Sequence, residues 1–201
     1  MARLQLSRKE FYYFLFESVL IIMSVFLALV LNENRRKANI REQLQASLNI
    51  VMNEMDQNEK ILVGWLDYHT KVYANLGELR SNDSLRTRFL TEDGLYIYDV
   101  MPMGIAQQVL SRNAWEAFKN TESFGSLDCQ QIVHLSDVYE VQKVGVEATV
   151  MKITNLLYDR ASLKKENLDE TIVLFEQLYH ELISQEDYLI RKYASCPVTA
   201  L

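Results

Sequence analysis

A chain of 201 residues with only two prolines and six glycines cannot supply the frequent turns of a β-sandwich or barrel, so its composition points to helix. The formal net charge is −6; Arg3, Arg8 and Lys9 outweigh Glu10 and Glu17 by one, so residues 32–201 carry −7, without the basic excess that nucleic-acid binding needs. The two cysteines, Cys129 and Cys196, make neither a metal motif nor a disulfide framework, although they could pair.

After a short basic tail, 1–10, the stretch 11–31 reads FYYFLFESVLIIMSVFLALVL, with Glu17 as its one ionisable residue. At about 1.5 Å per residue a helix of this length covers the roughly 30 Å hydrocarbon core of a lipid bilayer. The run is too long for a signal-peptide core, and Leu29–Glu33 is a poor cleavage site, so the expectation is an uncleaved transmembrane helix. Glu17 lies about 9 Å along that helix, off the bilayer centre, where its carboxyl could be protonated or reach the near interface. Glu17, Ser24, Ala28 and Asn32 follow at spacings of seven, four and four and share one helical face. Small and polar residues so placed are what membrane helices use to approach one another, which predicts contact in a homo-oligomer or with another membrane protein. Arg3, Arg8 and Lys9 before the helix nearly balance Arg35, Arg36, Lys37 and Arg41 after it, so positive charge does not decide the orientation.

Glu17, the apolar run from Ser18 to Leu31 and Asn32-Glu-Asn-Arg-Arg together resemble the anchor of an uncharacterised family of small bacterial single-pass membrane proteins. Those anchors read Gly-Glu-Ile, then a hydrophobic run ending in Ala-Leu, then Asn-rich and Arg/Lys-rich residues leading into a long helix. Glu17, Ala28, Leu29 and Asn32 match; Phe16 stands in place of the glycine, and the tryptophan usual after the asparagine is missing. Asn113-Ala-Trp-Glu-Ala-Phe-Lys-Asn-Thr, followed by a leucine-rich helix with Tyr139, is similar to a second segment of that family. The resemblance brings no activity. It implies an inner-membrane protein with its basic tail inside and a helical domain outside, in the periplasm.

A long amphipathic helix is expected over 32–80. Ile40, Leu44, Leu48, Val51, Met55, Leu62, Trp65, Val72, Leu76 and Leu79 form a heptad-like stripe, with Asn58 and His69 at its gaps. Leu44, Leu48, Val51, Met55, Leu62 and Trp65 are read as the seam of a bundle in preference to a parallel coiled coil between copies that would continue the membrane face. An irregular connection follows over 81–103. Ser81-Asn-Asp-Ser is a turn, and Leu95–Val100 is an extended segment without a visible partner, read as a loop. Residues 85–104 are the best candidate for a surface facing a partner or ligand.

The remaining bundle helices are placed over 104–194. The first spans 104–120 with Val109, Trp115 and Phe118 as anchors, and Gly125 suits a turn with positive φ. Asp128 and Gln131 fit a capping box before Ile132, Leu135, Tyr139, Val146, Ile153 and Leu157, whose gaps hold Gln142 and Thr149. The last helix starts at Asn167 or Asp169 and carries Leu168, Ile172, Phe175, Tyr179, Leu182, Leu189 and Tyr193, with Glu186 as the polar intruder; Pro197 ends it, leaving the tail 195–201. The fold class is all-α: a transmembrane helix running into a long amphipathic helix, then an up-and-down bundle.

The chain has no phosphate-binding glycine loop, no Cys-x-x-Cys and no His-Glu-x-x-His. Three residues before His69, His134 and His180 stand Leu66, Gln131 and Gln177, so the Glu-x-x-His of bundle metal sites is missing at all three. These histidines are read as surface or hydrogen-bonded residues, and Glu54, Asp56 and Glu59 as a solvated acidic face. No catalytic residue, metal or cofactor is expected. The functional expectation is action by self-association or partner binding; the alternative is an extracytoplasmic ligand-sensing bundle that signals through a partner.

Overall fold

Helix α1 runs unbroken from Arg8 to Ser81, 74 residues and about 110 Å long. In this computed structural model residues 8–91, 94–105 and 108–195 are described. No proline interrupts α1, and its two glycines, Gly64 and Gly77, cost little in a helix held by packing on one face. Along Phe11–Leu31 the side chains are exposed, apart from half-buried Ser18. Among the described residues this is the one stretch of helix long and apolar enough to cross a membrane.

From Leu44 onward one face of α1 enters a core. Leu44, Leu48, Val51, Met55, Leu62, Val72, Leu76 and Leu79 are buried, and Trp65 packs half-buried at the edge. The main partner is α6 (Leu168–Ala194), which buries Leu168, Ile172, Phe175, Tyr179, Leu182, Leu189 and Tyr193. It runs antiparallel to α1: Glu176 meets Arg80, Glu186 meets His69, and Tyr193 meets Asn58. The third long element comprises α4 (Cys129–Val141), a π-helical turn at Gln142–Glu147 and α5 (Ala148–Tyr158). Its start is fixed by the Asp128–Gln131 capping box expected from the sequence. Gly145 in the π turn faces α6 so closely that an added Cβ would stand 2.5 Å from Gln185 Oε1.

The descending leg between α1 and α4 differs from the sequence expectation. After α2 (Asp83–Phe89), capped by Asn82, comes a minimal antiparallel hairpin in which β1 (Leu90–Thr91) pairs with β2 (Gly94–Leu95). The extended segment at Leu95 therefore has a partner, invisible in sequence because each strand is two residues long. Gly94, at φ 132°, occupies a conformation that side chains disfavour. The helix expected over 104–120 forms only as α3 (Asn113–Lys119). Trp115 and Phe118 are buried as anchors, but Val109 is 85% exposed. Gly125 lies in a 3-10 turn, Glu122–Ser126; among described residues the glycines with positive φ are Gly94 and Gly104. The expectations for Pro197, Cys196 and the tail beyond Ser195 fall outside the described residues. The architecture is all-α, with an irregular strand of chain where a regular bundle would place its second helix.

These burials give a direct stability contrast. Leu62→Ala should destabilise the bundle by about 2–5 kcal/mol, whereas Val109→Ala should change it by no more than about 0.5 kcal/mol in denaturant unfolding. Comparable losses at both positions would contradict the placement of residue 109 outside the core.

Candidate functional site

The irregular leg is held down by polar side chains that interrupt the apolar seams. Glu54 is 7% exposed, not on a solvated face as its acidic neighbours suggested; Asp56 is exposed and pairs with Lys60. Four donors converge on Glu54. Its Oε2 accepts from Ser111 Oγ at 2.6 Å and from the Ala114 amide at 2.8 Å. Its Oε1 accepts from Tyr139 Oη at 2.8 Å and from the Trp115 amide at 3.3 Å. The carboxyl thus satisfies the free amides at the start of α3 and ties them to α4. The Trp115 and Tyr139 rings stack over the same junction at 5.5 Å.

One turn further along α1, Asn58 treats Ser111 as a strand would. Its Nδ2 donates to the Ser111 carbonyl at 2.6 Å, and its Oδ1 accepts from the Ser111 amide at 2.8 Å. Gln142, turned inward at the π turn, accepts from Tyr193 Oη at 2.8 Å and donates to Glu147 at 2.9 Å. Burial raises the phenol pKa of Tyr193 above its ordinary value.

Three turns beyond Asn58, His69 Nε2 donates to the Ile105 carbonyl at 2.9 Å, while its Nδ1 lies 2.7 Å from Glu186 Oε1. His69 and Glu186 are fully buried, and Glu186 Oε2 has no partner. Burial pushes the Glu186 carboxyl above its ordinary range, partly opposed by its hydrogen bond to His69. Burial likewise raises Tyr179, whose ring packs on His69, and Tyr68, which donates to the Gly104 carbonyl at 2.7 Å.

This spine resembles catalytic machinery only superficially. A histidine beside a carboxyl can act as a general base only if its second nitrogen faces a substrate, and that nitrogen is committed to Ile105. His134 and His180 stand apart from it, with His180 against Tyr73. Among the described residues no group of three metal-ligating side chains converges. A cleft of about 240 Å³ lies beside the spine, lined by Trp65, Tyr68, Met103 and Gln108 among others, and is smaller than the roughly 300 Å³ usual for ligand pockets.

The expected membrane contact residues, Glu17, Ser24, Ala28 and Asn32, are all exposed on α1, and Ser24 Oγ donates back to the Leu20 carbonyl at 2.7 Å. Their face does not continue into the seam. At about 100° per residue, Leu44, Leu48, Val51 and Met55 point to the opposite side of the helix from Glu17, Ser24 and Ala28. The bundle's own helices occupy the seam. Cys129 is exposed at the start of α4. In the 85–104 segment Tyr96 and Tyr98 stand exposed with ring centroids 5.7 Å apart.

No family model, curated protein or solved structure matches the chain.

Two measurements test the spine. Glu54→Ala strands several buried donors and should cost about 3–5 kcal/mol, against no more than about 0.5 kcal/mol for Asp56→Ala; equal effects would place Glu54 at the surface. The raised Glu186 contributes stability that is fully present below the ordinary carboxylate pKa and is lost as pH rises through its folded value. The stability of the native chain relative to Glu186→Gln should therefore fall as pH rises above the ordinary carboxylate range, by at most about 1.4 kcal/mol per pH unit. A difference that stays flat with rising pH would show that Glu186 titrates as it does in the unfolded chain.

Proposed function

We propose that this is a single-pass membrane protein of the bacterial inner membrane whose helical bundle acts by self-association or by binding another membrane protein. The carrying observation is that the apolar stretch 11–31 and the bundle's central strut are one helix, with the bundle packed on one face only. The opposite face, bearing Glu17, Ser24, Ala28 and Asn32, has no partner element among the described residues. Polar side chains in that setting are stabilised by another helix. The resemblance of the anchor to small bacterial membrane proteins favours the periplasm for the bundle.

Assembly is preferred to the ligand-sensing alternative. Most polar groups of the spine are used in holding the chain's own backbone or one another, and the cleft beside it is small.

The test is crosslinking of the full chain in membranes. Glu17→Leu combined with Ser24→Leu should reduce self-crosslinking several-fold while leaving the bundle's unfolding transition in place. Crosslinking that persists at the native level would remove this face from the assembly.

A further inference from the structure

Charge is divided sharply along α1. Residues 1–41 hold seven basic and three acidic side chains, a net +4, so the remaining 160 residues carry −10. Arg35, Arg36, Lys37 and Arg41 lie on a bare stretch of helix between the apolar run and the first core residue, Leu44. All four are exposed. Among the described residues Arg35 and Arg41 have no ion-pair partner, while Arg36 and Lys37 share Glu33 at 3.8 and 3.7 Å. The bundle is different: ten of its fourteen cations, from Lys60 to Lys192, sit within ion-pair distance of a carboxylate. The unmatched positive charge is therefore concentrated next to the apolar stretch.

The spacing matches a headgroup layer. Arg35–Lys37 lie about 6–9 Å beyond Leu31, and the polar layer of a bilayer leaflet is roughly 5–8 Å deep. Arg41 is about 15 Å beyond Leu31, but Cα–Cβ bonds tilt toward the helix N-terminus, so its long side chain leans back toward the bilayer. At about 100° per residue the four residues spread round the axis as a collar, able to meet lipids on several sides. A bundle of net charge −10 is repelled by an anionic surface, so attraction at the collar is confined to the foot of the stalk.

We propose that Arg35, Arg36, Lys37 and Arg41 form a binding collar for the headgroups of anionic phospholipids. The proposal rests on the membrane-spanning reading above. Bound there, the lipid phosphates supply the counter-charges that the chain itself lacks and hold the stalk upright, with the acidic bundle about 20 Å clear of the apolar boundary.

The full chain would be reconstituted into phosphatidylcholine vesicles carrying trace spin-labelled phosphatidylglycerol or spin-labelled phosphatidylcholine. The motionally restricted fraction of each label then gives their relative affinity for the protein surface. The native chain should prefer phosphatidylglycerol by about fivefold, and about 1 M salt should largely remove the preference. The quadruple variant Arg35→Gln, Arg36→Gln, Lys37→Gln, Arg41→Gln should hold both lipids alike. The pair Lys164→Gln, Lys165→Gln, which removes unpaired bundle cations, should keep the native preference. Equal affinity in the native chain, a preference that survives in the quadruple variant, or an equal loss in the bundle pair would overturn the collar. Absence of any restricted lipid, of either kind, would instead overturn the membrane-spanning reading and the collar with it.

Discussion

The bundle depends on satisfying the backbone of a segment that is neither helix nor sheet. At Gly104, Ile105 and Ser111 the chain lies against α1, and its amides and carbonyls there have no regular ladder to join. A buried backbone group without a partner costs about 1–3 kcal/mol, so the segment can stay there only if side chains supply the missing bonds. Asn58 does so for both groups of Ser111, His69 for Ile105, Tyr68 for Gly104, and Glu54 for the first amides of α3. Three of these, Glu54, Asn58 and His69, are buried at or beside seam positions that a coiled coil would fill with leucine. The polar interruptions of the stripe are what exchange a regular second helix for this descending strand of chain.

That constraint also explains what could be read from the sequence. The apolar stripes of α1 and α6 were legible because both helices keep one buried face at helical spacing over many turns. Asn58, His69, Gln142, Thr149 and Glu186 were visible as interruptions. What they bond to was not, since several of the partners are backbone atoms and leave no side-chain signature. Glu54 was misread although it stands three residues after Val51 and four before Asn58: Met55 already fills the seam beside it, and its exposed neighbour Asp56 disguises it as part of a surface cluster. The helix expected over 104–120 failed for the complementary reason. Side chains of α1 already satisfy residues 104, 105 and 111, so the chain gains nothing by coiling there.

The spine also sets how firmly the bundle grips α1. Ion pairs on the surface, such as Lys152 with Glu181 at 3.5 Å, contribute little because water screens them. The buried contacts differ in kind. Releasing α3 from Glu54, or Ile105 from His69, would leave polar atoms stranded in an apolar core, so partial loosening costs nearly as much as full opening. Such a network makes α1 behave with the bundle as one body from about Leu44 to Ser81.

Any influence between the bundle and the apolar stretch 11–31 then passes through one bare helical stretch. Residues 32–43 are exposed except for half-buried Ile40, and among the described residues no other element covers them. Rotating the bundle rotates the helix below it, because an unbroken helix without proline or a π turn has no soft point there. The face opposite the seam carries Glu17, Ser24 and Ala28, so copies that met through that face would hold their bundles on the outer sides, away from the helix contact. The bundles would then be free to meet other partners while the apolar stretches stay paired. A coiled coil continuing down the seam would have required the opposite, with each copy giving up its own α6 to accept a neighbour's helix. The packing of α6 against α1 makes that exchange costly, which keeps the surface that builds the fold out of any such contact between copies.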